Sequence, residues 1–467
     1  MLTYEDFEKC GNDESKIADF IRSKIDEQEQ SERYLEGVAA GEFYRNGDPT
    51  MKKFEKIVYD TFGNARKDIF SPNNKLTAGL YNLFITQETS HLLGNGVTFD
   101  DESIKKKLGG NKFDYILQDL ETWAANDSES YALLTPDGLE KLCVGSDDEE
   151  PHFIPIFSAY DRKTPRAGFK HWRIDDDSPL NVILYTPKGY SVWREAKNKL
   201  QIVQPLKPYK LKYTGNKVGE IWDVEENDGG EQLPIVPLYY IQHKSAIHNR
   251  EETLTAYNMI LSGIANDMTE GKLLYWAIKN AGGMGDDDWE DFFANLYKSH
   301  ILPIPDTVEA EPHEININQE GPISALAIIR EQLFQDFKAV DVQSVMGGNK
   351  TTVEIKAAYE NLNLKCDVIE KNVGEFIQKV LVFYGYDENT GFSFTRPANN
   401  NLSEYITMIE QIKSTIGEDE ALRMELEALG KIDRYEDIAR QKAADELGMM
   451  TRATAADDGT DEGSETA

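Results

Sequence analysis

Apolar residues recur at threes and fours along the first part of the chain. In "DESKIADFIRSKIDEQEQSERYLEGV", Ile17, Phe20, Ile21 and Ile25 fall on one stripe, which predicts an amphipathic helix. "NNKLTAGLYNLFITQETSHLLGNGVTF" repeats the pattern with Leu76, Leu80, Leu83, Phe84 and Leu92, and its "GNG" predicts a stop at Gly94. A third helix is expected through Phe113, Ile116, Leu117, Leu120 and Trp123.

From Phe153 to Ile241 the period changes. "FIPIFSAYD", "RAGFKHWRI", "NVILYT" and "YSVWRE" are short runs of β-branched and aromatic residues separated by turn formers such as "TPKG" and "DDDSP". They predict a small antiparallel β region. Its end, "NDGGEQLPIVPLYYIQHK", has the prolines of an extended exit strand.

A long helical pattern follows from Asn249 to about Ala281, with Leu254, Tyr257, Leu261, Ile264, Met268 and Tyr275 as its stripe. At about 1.5 Å per residue it would run roughly 50 Å. Its flanks are too polar for a lone core helix, so they are expected to meet copies of the chain or other helices. "GGMGDDD" ends it; a short helix "DDWEDFFANLYKSH" and a two-stranded excursion "ILPIPDTVEAEPHEINI" come next. Leu326, Ile329, Leu333, Phe337 and Val340 then mark a return helix. A second long helix runs from Thr352 to Tyr384, with Ala358, Leu362, Ile369, Val373, Phe376, Val380 and Phe383 on its apolar side. After the strand and loop of "GFSFTRPANNN", the stretch to Leu447 reads as three short amphipathic helices, and "TRATAADDGTDEGSETA" has no apolar period and reads as disordered.

Between the return helix and the second long helix lies "VMGGNKTTVEIKAAY", which has the ingredients of a phosphate-cradling loop. The spacing argues against one. Gly347 and Gly348 are adjacent, Asn349 separates them from Lys350, and no glycine stands five positions before Gly348, as a phosphate loop requires. The loop joins helix to helix, with no strand in front, and reads as a mobile connector.

Charge narrows the partners. With 50 basic and 83 acidic residues among 467, the formal net charge is −33. Such a surface repels phosphates, which excludes a tight, static nucleic-acid binder but not a protein that DNA merely passes. Cys10, Cys143 and Cys366 are far apart and odd in number, so a reducing compartment is expected, with Cys366 on the apolar side of its helix as core. The acidic, polar start does not read as a signal peptide, and no apolar run reaches the length of a membrane span. A soluble intracellular protein is expected.

No catalytic constellation stands out. His243 and His248 are five apart, which is no metal spacing, and neither H-E-x-x-H nor C-x-x-C occurs. The acidic clusters "SDDEE", "DDDSP" and "GDDDWED" lack the alternation and glycine of a calcium loop and read as solvated turns. The expectation is no enzyme, no metal and no cofactor.

The order of elements is more informative than any motif. "NNKLTAGLYNLFITQETSHLLGNGVTF", "LPIVPLYYIQHK" leading to "EETLTAYNMILSGIANDM", "GGMGDDDWEDFFANLYKSHILPIP" and "MGGNKTTVEIKAAYENLNLKCDVIEKN" occur in an order that resembles the tailed-bacteriophage portal proteins, specifically siphophage portals of Gram-positive hosts. The resemblance covers roughly Asn73 to Leu447. One departure is the loop itself, where Lys350, Thr351 and Thr352 stand in place of the family's small residues.

What the resemblance implies is an α+β, mainly helical portal fold that assembles into a ring, a dodecamer in the virion. Residues 1–241 would be the wing, 242–281 the first stem helix, 282–320 the clip and 321–342 the second stem helix. Residues 343–352 would be the tunnel loop, 353–398 the helix returning to the wing, 399–450 the crown and 451–467 the acidic tail. The tunnel loop would carry Gly347, Gly348, Asn349, Lys350 and Thr351 beside passing DNA. Asp286, Asp287, Asp288, Trp289 and Phe293 would dock partners at the clip, the two aromatics serving equally well as the clip's own core.

The implied partners are the terminase packaging motor, a head-completion adaptor, the major capsid or scaffolding protein, and double-stranded DNA passing through the channel without sequence preference, with no membrane. The implied place is one capsid vertex of the virion, the head-tail connector through which DNA is packaged and ejected, after assembly in the host cytoplasm. Two alternatives remain: a phage structural or scaffold protein without a channel, and a nucleotide-driven packaging enzyme.

Overall fold

In a computed structural model the described residues are all except 1, 60–63, 69–70, 137, 148, 176, 210, 219–220, 227–232, 271–274, 280–308, 314–318, 343–351, 397–401, 429–434, 436–437, 439 and 441–467. The chain divides into two compact units. One comprises Met1–Phe337 with Val368–Phe394, the other Lys338–Asp367 with Thr395–Ala467.

The first unit opens with α1 (Tyr4–Lys9), α2 (Glu14–Glu29), α3 (Glu32–Arg45) and α4 (Pro49–Lys53), followed by the hairpin β1 (Ile57–Tyr59) and β2 (Ala65–Lys67). The expected stripe on α2 is buried at Phe20, Ile21 and Ile25. The helical run there is broken in two. Gln30 ends α2, and the Ser31 hydroxyl caps α3 by accepting from the Tyr34 amide at 3.3 Å. Then come α5 (Leu80–Leu93), β3 (Val97–Phe99), α6 (Glu102–Lys107) and α7 (Asn111–Asp127), with α5 stopping at Gly94 as its sequence predicts. Phe113, Ile116, Leu117, Leu120 and Trp123 are all buried on α7.

The β region is larger than the sequence pattern suggests. The hairpin β4 (Glu129–Thr135) and β5 (Gly138–Leu142) precedes β6 (His152–Phe157), β7 (Pro165–Trp172), β8 (Asn181–Thr186), β9 (Gly189–Ala196) and β10 (Lys199–Lys207). The last five form one antiparallel meander in the order β10-β9-β8-β7-β6. A hairpin β11 (Leu211–Val218) and β12 (Ile221–Glu226) follows, and β13 (Ile235–Tyr239) returns to pair with β4 in the sheet β13-β4-β5. Because β4 is paired on both edges and buried on both faces, its "YALL" is continuously apolar and shows no period of two.

Alternation along β6 sends side chains two ways. Ile154 and Ile156 join Phe169, Val182, Leu184 and Trp193 in a cluster roofed by Phe20, Ile21 and Ile25 of α2. Phe153 and Tyr185 point to the opposite face, into a second cluster with Tyr131, Leu133, Leu142 and Ile235 of the three-stranded sheet. Gly168 leaves room for that packing; a Cβ there would meet the Phe153 ring at 2.4 Å.

The remaining elements are the 3-10 turn Ile241–His243, α8 (Glu251–Glu270), β14 (Tyr275–Lys279), β15 (Glu309–His313), α9 (Glu320–Asp336), α10 (Thr352–Phe383), β16 (Phe392–Phe394), α11 (Leu402–Ile416) and α12 (Glu418–Ala428). The helix expected as far as Ala281 is therefore shorter. It is helical to Glu270, and Tyr275, expected on its stripe, opens a strand in "YWAIK", whose aromatic and β-branched residues favour extended backbone. The expected return helix is present but ends at Asp336, so Val340 of its stripe falls outside it, after Lys338 at φ 53°; the second long helix is present. Within the first unit, Ile369, Val373, Phe376 and Val380 of α10 are buried, and the Tyr384 hydroxyl donates to the carbonyls of Thr135 and Gly138 at 2.6 and 2.9 Å. In the second unit Leu362 and Cys366 are buried, as the apolar stripe requires, and Arg396 bonds Asp367 at 2.7 Å and the Asn363 carbonyl at 3.3 Å.

Candidate functional site

Helix α8 carries an unusual buried face. Asn258, Ser262 and Asn266, four residues apart, are 2 %, 3 % and 7 % exposed. An extended segment before α5 lies along them. The Asn74 amide donates to Asn266 Oδ1 at 2.7 Å, the Leu76 amide to Ser262 Oγ at 2.9 Å, and the Ala78 amide to Asn258 Oδ1 at 2.9 Å. The match follows from two repeats. Four helical residues rise about 6.0 Å, and two extended residues about 6.6 Å, so alternate amides of a strand-like segment stay in step with one helix face. Ser262 also donates to the Leu76 carbonyl at 3.3 Å, while the Asn258 amide group donates to Asp48 Oδ2 at 3.0 Å. Asp48 is fully buried at the N-terminus of α4 and accepts from the Thr50 and Met51 amides as well.

This ladder revises two expectations. Leu76, placed on the helical stripe by its spacing, sits outside α5, because its backbone is held extended by Ser262. Leu83, placed on the same stripe, is 46 % exposed. Asn258, Ser262 and Asn266 are the buried polar residues that reading apolar periodicity passed over. Their own i, i+4, i+8 spacing is the signal that identifies them.

Helix α9 packs along α8. Its end is fixed by aromatic rings: Phe84 stacks on Phe337 at 4.6 Å and meets Phe334 edge-on at 5.0 Å, and Tyr81 meets Phe337 at 5.8 Å. The Arg250 guanidinium, just before α8, lies 5.1 Å over the Phe337 ring. Away from these anchors both helices expose apolar side chains, notably Met259, Met268, Ile323 and Ile328.

Between α8 and α9, β14 and β15 pair antiparallel from Tyr275↔His313 to Lys279↔Glu309. The chain thus leaves at Lys279 and re-enters at Glu309, directly opposite. Asp286, Asp287, Asp288, Trp289 and Phe293 belong to that excursion and lie outside the described residues, as do Gly347, Gly348, Asn349, Lys350 and Thr351. The structure therefore brings together α8 and α9, which flank the excursion, while the predicted residues of both sites lie outside the described residues.

The first unit also buries the acids Glu88, Glu121, Asp127 and Glu129. Asp127 accepts from the Ser146 hydroxyl at 2.8 Å and the Gly145 amide at 3.3 Å, yet burial pushes its carboxyl up to about 6. Burial also raises Glu129, opposed by the Arg33 guanidinium at 2.7 Å. Glu88 accepts from the Tyr240 hydroxyl at 2.9 Å, and Glu121 from that of Thr89. These bonds tie β4 to α3 through Glu129 and Arg33, α7 to α5 through Glu121 and Thr89, and α5 to Tyr240 through Glu88. His248 pairs with Glu36 at 2.7 Å, and His243 packs on the Tyr239 ring at 4.2 Å. Among the described residues no group of three His, Cys, Asp or Glu side chains is placed to hold a metal ion, and no helix is long and apolar enough to cross a membrane.

The sequence of residues 16–443 matches the family model of phage portal proteins, SPP1 Gp6-like. The chain belongs to that portal family. The match begins at residue 16, well before Asn73, and takes in most of α2 together with α3 and α4. The portal protein of Bacillus phage SPP1 is 22% identical over 425 residues, covering 84% of this chain and 79% of that one. The portal protein of Clostridium phage phiCD119 is 23% identical over 154 residues, 31% of this chain and 34% of that protein. Among solved structures, a chain from the virion of a native gene transfer agent particle overlaps 72% of this chain and 85% of its own, with 9% identity and a TM-score of 0.39. A chain from the neck of the native particle gives 12% identity and a TM-score of 0.38. Overlap at that level leaves the family assignment resting on sequence.

Proposed function

We propose that this chain is the subunit of a portal ring at one capsid vertex, through which double-stranded DNA is packaged and later ejected. The observation that carries the reading is the family match across residues 16–443. The α8–α9 pair is the stem, built to face two neighbours at once. Met259 and Met268 are nine positions apart, which at about 100° per residue puts them on opposite sides of α8. A ring of head-to-tail contacts needs two different flanks on every subunit. The net charge of −33 per chain, repeated around a ring, leaves DNA without deep wells in which to stall.

In this reading residues 282–320 are the clip, where Asp286, Asp287 and Asp288 with Trp289 and Phe293 meet the packaging motor and then the head-completion adaptor. Gly347 to Thr351 form the tunnel loop, and the ring works without chemistry of its own, assembled in the host cytoplasm before the capsid closes around it. The failed phosphate-loop spacing around Lys350 supports the absence of a nucleotide-driven step.

Negative-stain imaging of the purified full chain tests the ring, and the expected images are closed annuli with a central channel. Reversing Asp286, Asp287 and Asp288 to Lys is expected to spare those annuli and weaken binding of the packaging ATPase. Monomers in every condition would overturn the portal reading, whereas annuli with unchanged motor binding would overturn only the clip residues.

A further inference from the structure

A cleft of about 570 Å³ opens between α2 and the edge of the five-stranded sheet. Asp26 and Glu29 line one wall from α2; Glu150, His152, His171 and Trp172 line the other.

The cations in the cleft are already engaged. Arg22 and Arg173 both grip Glu195, at 2.8 and 2.9 Å, and the Leu180 amide adds a third bond to the same carboxylate at 3.2 Å. The carboxylates of Asp26 and Glu29, both exposed and three apart and so on one side of the helix, have no hydrogen-bond or ion-pair partner among the described residues. Glu150 has Lys141 at 3.4 Å. The mouth of the cleft is therefore short of positive charge.

His171 sharpens the chemistry. Its ring is partly buried, edge-on to His152 at 5.8 Å and tilted on Phe169 at 6.1 Å, and its nitrogens have no hydrogen-bond partner among the described residues. Burial, then the neighbouring His152 and Arg173, hold its pKa down to about 3, so it is neutral near pH 7. A neutral imidazole keeps one nitrogen as an acceptor. An acceptor and two carboxylates without bonded partners are complementary to a planar cation that donates several N–H bonds. An anion would meet the carboxylates, and a metal ion would lack three ligands.

We propose that this cleft binds an arginine side chain presented by a basic segment of a partner protein. Asp26 and Glu29 hold the guanidinium, and His171 accepts one of its N–H groups. The inference stands apart from the portal reading, since the cleft lies in the helix-and-sheet body and involves neither stem helix.

The test uses the full-length chain and a short arginine-bearing peptide labelled with fluorescein, read by anisotropy at physiological salt. The expected results are binding that is lost when arginine is replaced by neutral citrulline, and a weakening of about tenfold in Asp26→Asn/Glu29→Gln. The control Glu14→Gln/Asp19→Asn removes the same charge from exposed positions of the same helix outside the cleft, and is expected to change binding less than about twofold. His171→Leu is expected to weaken the peptide severalfold without changing the thermal midpoint. Equal weakening by both double variants would assign the binding to diffuse attraction by an acidic chain and overturn the proposal. So would a citrulline peptide that binds as well, or a cleft variant that alters only the oligomeric mass, which would make the cleft a contact between copies of this chain.

Discussion

The sheet with α2 and the ladder on α8 are two solutions to holding chain against chain. In the sheet, Phe169, Val182 and Ile21 are fully buried among other apolar groups, and the contact is non-directional. On α8, Asn258, Ser262 and Asn266 face backbone amides, so the contact depends on direction and register. The difference is one of magnitude and of failure mode. Apolar packing resists by area, and loses several kcal/mol when a side chain is deleted. A ladder of neutral hydrogen bonds contributes about 1 kcal/mol each, and opens one rung at a time.

Emptying the sheet should therefore cost most. Phe169→Ala deletes a fully buried ring beneath α2 and is expected to destabilise the protein by about 3–5 kcal/mol. Urea unfolding followed by circular dichroism measures it. A loss below 1 kcal/mol would mean that the cluster is looser than its burial implies.

The same body holds charge against the odds, which makes its stability depend on pH. Asp127 titrates at about 6 when folded, against an ordinary value of 3.8. A raised carboxyl favours the folded state where it is protonated in both states, below about 3.8, and that contribution disappears as pH rises through about 6. Integrated over the window it amounts to about 3 kcal/mol, and Asp127→Asn should remove it. Comparing the two proteins isolates this group from Glu5 and Asp6, whose hydrogen bonds to Ser158 and Lys9 hold them down to about 2 and act with the opposite sign. Parallel stability curves for wild type and variant between pH 4 and 7 would contradict the burial argument.

The ladder should fail locally. Asn258→Ala leaves the Ala78 amide and one oxygen of Asp48 without their partner, at an expected local cost of about 1–3 kcal/mol. Hydrogen exchange is the appropriate readout. The Ala78 amide is expected to exchange faster by tenfold or more, Leu76 and Asn74 by less, and the amides of β8 not at all. Uniform acceleration would mean that the strap and the sheet form one cooperative unit.

These differences also explain what could be read without the structure. Periodicity located α2, α7 and α10 through Ile21, Leu120 and Val373, because each is an amphipathic helix on one core. It missed β4, since a strand buried on both faces does not alternate, and it ran α8 into β14, since Tyr275 continues the spacing of an apolar stripe while pairing with His313. The ladder escaped for a further reason: a polar residue at a buried position is invisible to a scan for apolar ones. The family resemblance covered the order of elements and was matched over residues 16–443. The loop from Gly347 and the acids from Asp286 rest on sequence alone.

The smallest expected effect on the folded subunit has the largest consequence for assembly. Ile328 is 68 % exposed on α9, so Ile328→Glu removes little buried area and is expected to shift the stability of the isolated chain by less than about 0.5 kcal/mol. In the proposed ring that position faces a neighbour, and a buried, unpaired carboxylate there disfavours every subunit contact at once. Sedimentation should show the variant as monomer at concentrations where wild type is oligomeric, with an unchanged urea midpoint. The contrast with Phe169→Ala is then complete, one change weakening the subunit and the other only its association. A variant that still forms full rings would place Ile328 on a solvent-facing side of the stem, and would shift the contact to the flanks that carry Met259 and Met268.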